Sequence, residues 1–201
     1  YSPFAEALRG LRSQLMLRWF DGTPTRSTLA ITSVDRGDGK SFICANLGVA
    51  FSQIGERTLI IDGDLRHPTQ HLNFGLRNPM GLSGILGGRA GLEEIVEFPT
   101  LPNLSVLPSG PQPPNPQELL SRDTFAALLH ILPGRFHVIL VDTPSAQDAS
   151  DALVICPRAR GALHVGPKDK PKATHIAQLS PGTAPPPTPL PRPPLTPSAT
   201  A

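Results

Sequence analysis

Hydrophobic residues follow two spacings along this chain, and the two alternate. Short apolar runs are separated by longer segments in which apolar residues recur every three or four positions. Strands that are apolar on both faces are typical of a parallel sheet with helices on its two sides. The predicted strands span 28–34, 57–62, 103–107, 137–142 and 161–165, and the predicted helices span 40–54, 82–87, 116–132 and 149–159. The pattern predicts an α/β fold with a mainly parallel sheet.

A further helix is predicted ahead of the first strand. Ser2-Pro3 can cap and start it, and the turn-forming residues 21–24 end it. Its apolar residues recur at helical spacing and should form a buried stripe; they are Phe4, Leu8, Leu11, Leu15 and Trp19. We expect residues 1–27 to form this helix and a linker, and residues 28–170 to form the α/β domain.

The end of the chain has a different composition. The 25 prolines are unevenly spread, and from about Thr174 onward there is neither an acidic residue nor an apolar periodicity. Such a segment cannot bury enough apolar surface to become ordered. We therefore expect 171–201 to be a disordered, proline-rich tail with polyproline II character.

Composition narrows the function classes. The chain has 201 residues and a formal charge of +2, which gives no support for a nucleic-acid partner. Cys44 and Cys156 lie in apolar helical patterns, where free thiols in a reducing compartment are expected. Neither a leader pattern nor an apolar run of about 20 residues is present, so we expect a cytoplasmic protein.

The transition from the first strand to the first domain helix has the features of a phosphate loop. The apolar run 29–32 ends in a polar, glycine-containing turn, and Gly39-Lys40-Ser41 then opens the helix. Backbone N–H groups at such a turn can hold a polyphosphate, with Lys40 reaching the phosphates and Ser41 reaching Mg²⁺. Val34 replaces the first glycine of the general pattern, so an ordinary glycine-rich turn is the alternative.

Acidic residues end two other predicted strands. Asp62 and Asp64 follow one apolar run, and Asp142 follows another. Carboxylates beside a phosphate loop can hold Mg²⁺ directly or through water, and they can accept a proton from an attacking hydroxyl. The alternative is that they only cap the following turns. Arg66 could neutralise a phosphate or position an acceptor, or it could be a surface arginine without a partner.

Three segments together resemble a known family. SVDRGDGKSFICANLGVAF, LIIDGDLRHPTQH and VILVDTP are similar, in this order, to the Walker A, Walker A′ and Walker B motifs of the bacterial tyrosine kinases of polysaccharide export, often called BY-kinases. The closest subgroup is the EpsG-like cytoplasmic kinases that pair with a chain-length determinant. EALRGLR also fits the family's E-x-x-R-x-x-R element, and the resemblance covers roughly residues 2 to 170.

This resemblance implies a P-loop NTPase-like fold and transfer of the γ-phosphate of ATP to tyrosine. It implies nucleotide contacts from Gly37, Asp38, Gly39, Lys40, Ser41 and Phe42. Catalysis would involve Lys40, Asp62, Asp64 and Asp142, with Mg²⁺ held by Ser41, Asp64 and Asp142, and with Asp62 activating the acceptor hydroxyl.

The resemblance also implies partners. Glu6, Arg9 and Arg12 would form the contact between subunits of a homo-oligomer. The other partners would be a membrane-bound, Wzz-like chain-length determinant and a tyrosine-containing acceptor protein. The chain would then be cytoplasmic or peripheral at the inner membrane through its partner.

The chain departs from the family in two respects. Its only tyrosine is Tyr1, so the usual C-terminal tyrosine cluster has no counterpart. The family-like pattern also stops near residues 168–175, where we expect a truncation or a change of reading frame. The half of the site that holds the base would then be incomplete, and the sheet edge after residue 165 would be under-protected.

Two other functions remain open at this point. One is a non-catalytic, nucleotide-binding interaction module of the polysaccharide export machinery, which the missing tyrosine cluster favours. The other is a partition-type ATPase of the ParA or MinD kind. That class carries an extra lysine five residues before the main lysine of the loop, where this chain has Asp35. A carboxylate cannot supply a positive charge to a phosphate, so Asp35 argues against this class.

Overall fold

In the described part of the chain, the fold is built on a sheet of seven strands. In the computed structural model, which describes residues 2–166 and 176–178, the strands lie in the order β3-β4-β2-β5-β1-β6-β7. Their bounds are β1 Thr28–Ser33, β2 Thr58–Asp62, β3 Val96–Phe98, β4 Leu101–Leu107, β5 Val138–Asp142, β6 Gly161–Val165 and β7 Ile176–Gln178. The neighbours from β4 to β6 are parallel, whereas β3 and β7 are antiparallel additions at the two edges.

Seven α-helices accompany the sheet in the described part of the chain. They are α1 Pro3–Arg18, α2 Lys40–Ser52, α3 Gln70–Asn73, α4 Gly81–Leu86, α5 Pro116–Ser121, α6 Asp123–Ile131 and α7 Asp151–Ala159. Short 3₁₀ turns cover Pro24–Arg26, Leu92–Glu94 and Leu132–Gly134. Within residues 2–166 and 176–178, no helix has the length and apolar character that crossing a bilayer requires.

Alternate residues of each central strand enter two separate cores. On β5, Val138 and Leu140 pack with α1 and α2, whereas Ile139 and Val141 pack with α4 to α7. Successive side chains of a strand point to opposite faces, so strands without polar positions need cover on both sides. The predicted α/β fold, with a mainly parallel sheet between helices, is confirmed.

The two edge strands were not predicted from the sequence. Strand β3 has three residues, and a single Glu97 interrupts its apolar character. Strand β7 pairs antiparallel with β6, in the register Gly161 with Gln178. The expectation of an under-protected edge beyond residue 165 was therefore wrong over this stretch. Apart from 176–178, the predicted disordered tail 171–201 lies outside the described residues, as do the expected truncation point near 168–175 and Tyr1.

The buried stripe of α1 is shorter than predicted. Leu15 and Trp19 are buried, whereas Leu8 and Leu11 are half-buried and Phe4 is 40% exposed. The Trp19 ring lies directly against Gly161, where a Cβ would come within 2.4 Å of the ring. The C-terminal half of α1 is therefore the part that anchors the helix on the sheet.

The single helix predicted over 116–132 is two helices. Arg122 has extended backbone angles (φ −65°, ψ 152°), so α5 ends before it and α6 begins after it. The helical spacing of apolar residues continues across Arg122 from α5 into α6, so the sequence pattern did not reveal the break. Both bury their leucines in the same core as α7.

The order of the strands brings three loops together. Strand β5 lies between β1 and β2, and all three run parallel. Their carboxyl ends therefore meet at one edge of the sheet, where ligands bind in open α/β folds. The predicted phosphate loop follows β1, Asp62 and Asp142 end β2 and β5, and Asp64 lies two residues beyond β2.

Candidate active site

The loop between β1 and α2 is shaped by two left-handed glycines. Gly37 has φ +90° and Gly39, the N-cap of α2, has φ +81°. A Cβ at either position would meet no atom within 4 Å, so glycine is needed there for its backbone angles and not for space. The Asp38 carboxylate accepts a hydrogen bond from the Asp35 N–H at 3.0 Å and closes the loop. The loop presents its backbone beside the N-terminus of a 13-residue helix, an arrangement suited to an anion.

Lys40 is held near this loop by weak contacts. Its Nζ lies 3.9 Å from Asp64 Oδ2 and 3.4 Å from Ser41 Oγ, both longer than a good hydrogen bond. The Lys40 side chain is only 12% exposed. An ammonium with little water and loose partners is ready to bind a phosphate oxygen.

Asp62 and Asp64 organise the loop that follows β2. Asp62 is fully buried and accepts hydrogen bonds from the backbone N–H groups of Asp64, Thr69 and Gln70. Burial, and after it the nearby Asp142 carboxylate, hold the pKa of Asp62 well above its usual value. Asp64 accepts from the N–H groups of two following residues and lies beside Lys40.

Asp142 lies next to Asp62 in the sheet. The two residues are register partners on β5 and β2, and both are fully buried. Burial raises the pKa of Asp142 from 3.8 to about 6, while the Lys40 ammonium, the Gln70 hydrogen bond and the nearby Ser41 hydroxyl oppose the rise. Its Oδ2 accepts from Gln70, and its Oδ1 has no hydrogen-bond partner within the described residues.

Gln70 is a site residue that the sequence analysis missed. Its side-chain amide donates to Asp142 Oδ2 at 2.8 Å and to the backbone carbonyl of Ser41 at 3.0 Å. It lies within the motif LIIDGDLRHPTQH, so proximity to Asp62 and Asp64 was the one signal available. A single polar residue in a short turn has no periodicity that would reveal its partners.

A cleft of about 280 Å³ opens in front of these groups. Its walls come from the phosphate loop, the start of α2, the loop after β2 and the loop after β5; they include Arg36, Gly37, Gly39, Lys40, Ser41, Phe42, Asp64, His67, Thr69 and Asp148. Asp62 and Asp142 lie behind this wall. Phe42 is 56% exposed, and its ring lies 5.3 Å from that of Phe4. The predicted nucleotide residue Phe42 therefore also contacts α1.

Arg66 has a partner distant in sequence. Its Nε and Nη2 donate to the two oxygens of Asp151 at 2.8 and 3.1 Å, and Asp151 is fully buried at the start of α7. Neither of the roles considered for Arg66 matches this geometry, because the guanidinium is engaged with a carboxylate. The pair fastens the loop after β2 to α7.

The oxygen ligands present fit Mg²⁺ bound together with phosphates. In the described residues, no group of three or more His, Cys, Asp or Glu side chains could hold a metal by itself. Mg²⁺ usually keeps several waters and takes only one or two carboxylates plus substrate phosphates, so such a cage is not required. The partnerless, buried Asp142 Oδ1 is the oxygen that a hydrated cation would satisfy.

The three residues predicted to mediate oligomerisation are placed on α1. Glu6 pairs with Arg9 on the exposed side of the helix. Arg12 donates to the backbone carbonyl of Ala50 at 3.1 Å, near the end of α2. These contacts lie within the subunit, and the intersubunit role of the three residues stays a prediction.

Comparison with known proteins decides the family. The putative tyrosine-protein kinase CapB of Staphylococcus aureus is 39% identical over 153 residues, which are 76% of this chain and 66% of CapB. The crystal structure of the chimerical protein CapA2B2 superposes with a TM-score of 0.72 at 37% identity, over 81% of this chain and 71% of that one. This chain belongs to the bacterial tyrosine-protein kinases. The family predicted from the three motifs is confirmed.

Other comparisons agree with this family. The kinase domain of the Escherichia coli tyrosine kinase ETK matches with a TM-score of 0.73 and 32% identity, over 81% of this chain and 63% of that one. The cell division ATPase MinD of Pyrococcus furiosus matches less well, with a TM-score of 0.58 over 69% of this chain. No protein-family model matches the chain. The chain spans 66% of CapB and 21% of the tyrosine-protein kinase Wzc of Salmonella typhi, so it corresponds to part of these relatives.

Proposed function

We propose that this chain transfers the γ-phosphate of Mg-ATP to the hydroxyl of a tyrosine in another protein. The observation that carries the proposal is the cleft in which a glycine-shaped loop, the Lys40 ammonium and the Asp64 carboxylate face one another. Membership in a family of tyrosine-protein kinases identifies the acceptor class. We propose a tyrosine of another protein as the acceptor.

Phosphate binding is assigned to the loop and to the first turn of α2. Gly37, Asp38 and Gly39 supply backbone N–H groups, and Lys40 supplies a positive charge that is largely shielded from water. Phosphoryl transfer depends mainly on positioning and on charges fixed where negative charge develops. Phe42, exposed at the wall of the cleft, adds an apolar contact to the nucleotide.

Mg²⁺ is assigned to Ser41, Asp64 and Asp142. When bound, the ion neutralises charge on the β- and γ-phosphates. Asp64 faces the cleft, and Asp142 offers an oxygen that lacks a hydrogen bond in the described residues. The carboxylates act directly or through water, as is usual for Mg²⁺.

The proton of the tyrosine hydroxyl is assigned to Asp62. A carboxylate with a raised pKa is a better general base near neutral pH than an ordinary aspartate. Asp64 lines the cleft, whereas Asp62 lies behind its wall. Because Asp64 is the aspartate nearer to a bound acceptor, variants of both residues are compared in the same assay.

The role in the cell that we propose is taken from the relatives of the chain. We assign the chain to control of capsule or exopolysaccharide chain length and export. Its partners would be a membrane-bound chain-length determinant and further copies of itself, which meet through Glu6, Arg9 and Arg12.

The test is transfer of labelled phosphate from ATP to a tyrosine-containing acceptor peptide in the presence of Mg²⁺. Lys40→Met should reduce transfer by at least 100-fold, as expected when a fixed transition-state charge is removed. Asp62→Asn and Asp64→Asn should each lower it strongly. Arg89→Met and Asp123→Asn alter exposed residues away from the cleft and should leave transfer unchanged.

The same assay separates the alternative function. If the wild-type protein binds Mg-ADP but transfers no phosphate to any tyrosine acceptor, the kinase assignment is wrong. The chain would then be a nucleotide-dependent interaction module.

A further inference from the structure

The Gln70 side chain connects groups from three separate segments of the site. Its Nε2 donates to Asp142 Oδ2 at the end of β5 and to the Ser41 carbonyl in the first turn of α2. Its own backbone N–H donates to Asp62 Oδ2 at 2.9 Å. The side chain is fully buried. A buried amide with this set of partners fixes the relative positions of the phosphate loop and both acidic strands.

The chemistry of the amide determines its orientation. A glutamine NH₂ has two N–H donors, and both are used because both neighbours are acceptors, a carboxylate and a carbonyl. The opposite end, Oε1, accepts from Asn73 at 3.3 Å. Turning the amide over would place its oxygen against two other oxygens. The Gln70 side chain therefore has one favourable orientation.

This orientation determines which oxygen of Asp142 remains available. Gln70 occupies Oδ2, while Oδ1 is buried with no partner in the described part of the chain. A buried carboxylate oxygen without a partner is costly, and a site retains one where a ligand satisfies it. The Ser41 carbonyl, held by the same amide, belongs to the residue whose hydroxyl is assigned to Mg²⁺.

We propose that Gln70 is a positioning residue: it holds Asp142 and the first turn of α2 so that Asp142 Oδ1 serves the nucleotide-bound Mg²⁺. The inference rests on the Mg-nucleotide part of the proposed function and is independent of phosphate transfer to tyrosine. Gln70 itself touches neither nucleotide nor metal. Its removal should weaken the contribution of Mg²⁺ to nucleotide binding and affect metal-free binding much less.

The test is titration calorimetry of ADP with the full chain, in EDTA and in excess Mg²⁺. The ratio of the two dissociation constants measures how much Mg²⁺ strengthens binding. Gln70→Met keeps the length of the side chain and removes both donors, and it should lower this ratio about ten-fold. A ten-fold change corresponds to about 1.4 kcal/mol, which is near the lower end for a hydrogen bond to a charged group. Asn73→Ala removes only the partner of Oε1 and should leave the ratio within two-fold.

A second variant guards against a folding defect. Gln70→Asn keeps the amide but is shorter by one methylene, so it cannot reach both acceptors, and it should lower the ratio several-fold. An unchanged ratio in Gln70→Met, or equal losses with and without Mg²⁺ in both variants, would overturn the proposal and leave Gln70 a packing residue. Since the readout is ADP binding, a wild-type protein that shows the Mg²⁺ effect but transfers no phosphate contradicts only the kinase assignment.

Discussion

Replacing Asp142 with asparagine should make the nucleotide-free protein more stable at alkaline pH. Burial raises the pKa of Asp142 from 3.8 to about 6 in the folded protein, whereas the unfolded chain has the ordinary value. The folded state thus binds this proton more tightly. The resulting stabilisation is complete below the unfolded pKa and is lost as the pH rises through about 6.

The size of the effect follows from the two pKa values. From 3.8 to about 6, at about 1.36 kcal/mol for each pH unit, the full loss is about 3 kcal/mol. Between pH 4 and pH 8, about 2 to 3 kcal/mol of it should appear. Asp62 acts in the same direction, because the Asp142 charge is one cause of its own raised pKa.

The assay is urea unfolding of both proteins in EDTA without nucleotide, followed by circular dichroism at pH 4 and pH 8. The quantity of interest is the difference in unfolding free energy between Asp142→Asn and wild type, in which groups that do not interact with Asp142 cancel. This difference should shift in favour of the variant by about 2 to 3 kcal/mol as the pH rises. A difference that is equal at the two pH values would refute the idea that burial destabilises the ionised Asp142.

An exposed aspartate provides the control for this experiment. Hydrogen bonds from Thr23 lower the pKa of Asp21, so its stabilising effect is present above its unfolded pKa and is lost as the pH falls. Asp21→Asn should therefore leave the difference between pH 4 and pH 8 almost unchanged, because the effect of Asp21 is lost only below its unfolded pKa of 3.8. Mg-ADP should stabilise wild type more than Asp142→Asn, because the variant has lost a proposed Mg²⁺ ligand.

Two further substitutions test packing around the site. Arg66→Ala leaves the buried Asp151 carboxylate without its guanidinium and should lower the unfolding free energy by about 2 to 4 kcal/mol, toward the lower figure because Arg66 is 33% exposed. In the same urea assay, the double variant with Asp151→Ala should recover part of this loss. An Arg66→Ala protein as stable as wild type would contradict the prediction. Gly161→Ala places a Cβ within 2.4 Å of the Trp19 ring. It should lower the unfolding free energy by about 1 to 3 kcal/mol and shift the fluorescence emission of Trp19, the only tryptophan in the sequence. An unchanged emission spectrum would show that α1 accommodates the methyl group.

Much of the site could be predicted because the residues that reveal it lie close together in the sequence. The phosphate loop is a short segment in which glycine spacing, Lys40 and Ser41 occur together after a strand. Asp62, Asp64 and Asp142 stand where apolar strands end, and a parallel sheet brings such ends to one edge. The order of the strands completes the convergence by placing β5 between β1 and β2.

The missed features depend on partners that are remote in the sequence. Gln70 acquires its role from Asp142, 72 positions away, and Arg66 from Asp151, 85 positions away. Periodicity also fails where a pattern continues through a change in the backbone, as at Arg122. Phe4 shows a related limit, since helical spacing identifies a face of α1 but not how far along its length that face is covered.

The uneven burial of α1 has a consequence for assembly. Leu15 and Trp19 fasten one end of the helix, whereas Glu6 and Phe4 at the other end are exposed. Substitutions in the exposed turns should therefore cost the fold little. If the proposed contact between subunits forms through this exposed end, that half of the helix can diverge to favour one neighbour over another, while the half anchored on the sheet stays constant. Related proteins within one cell could in this way keep their assemblies from mixing.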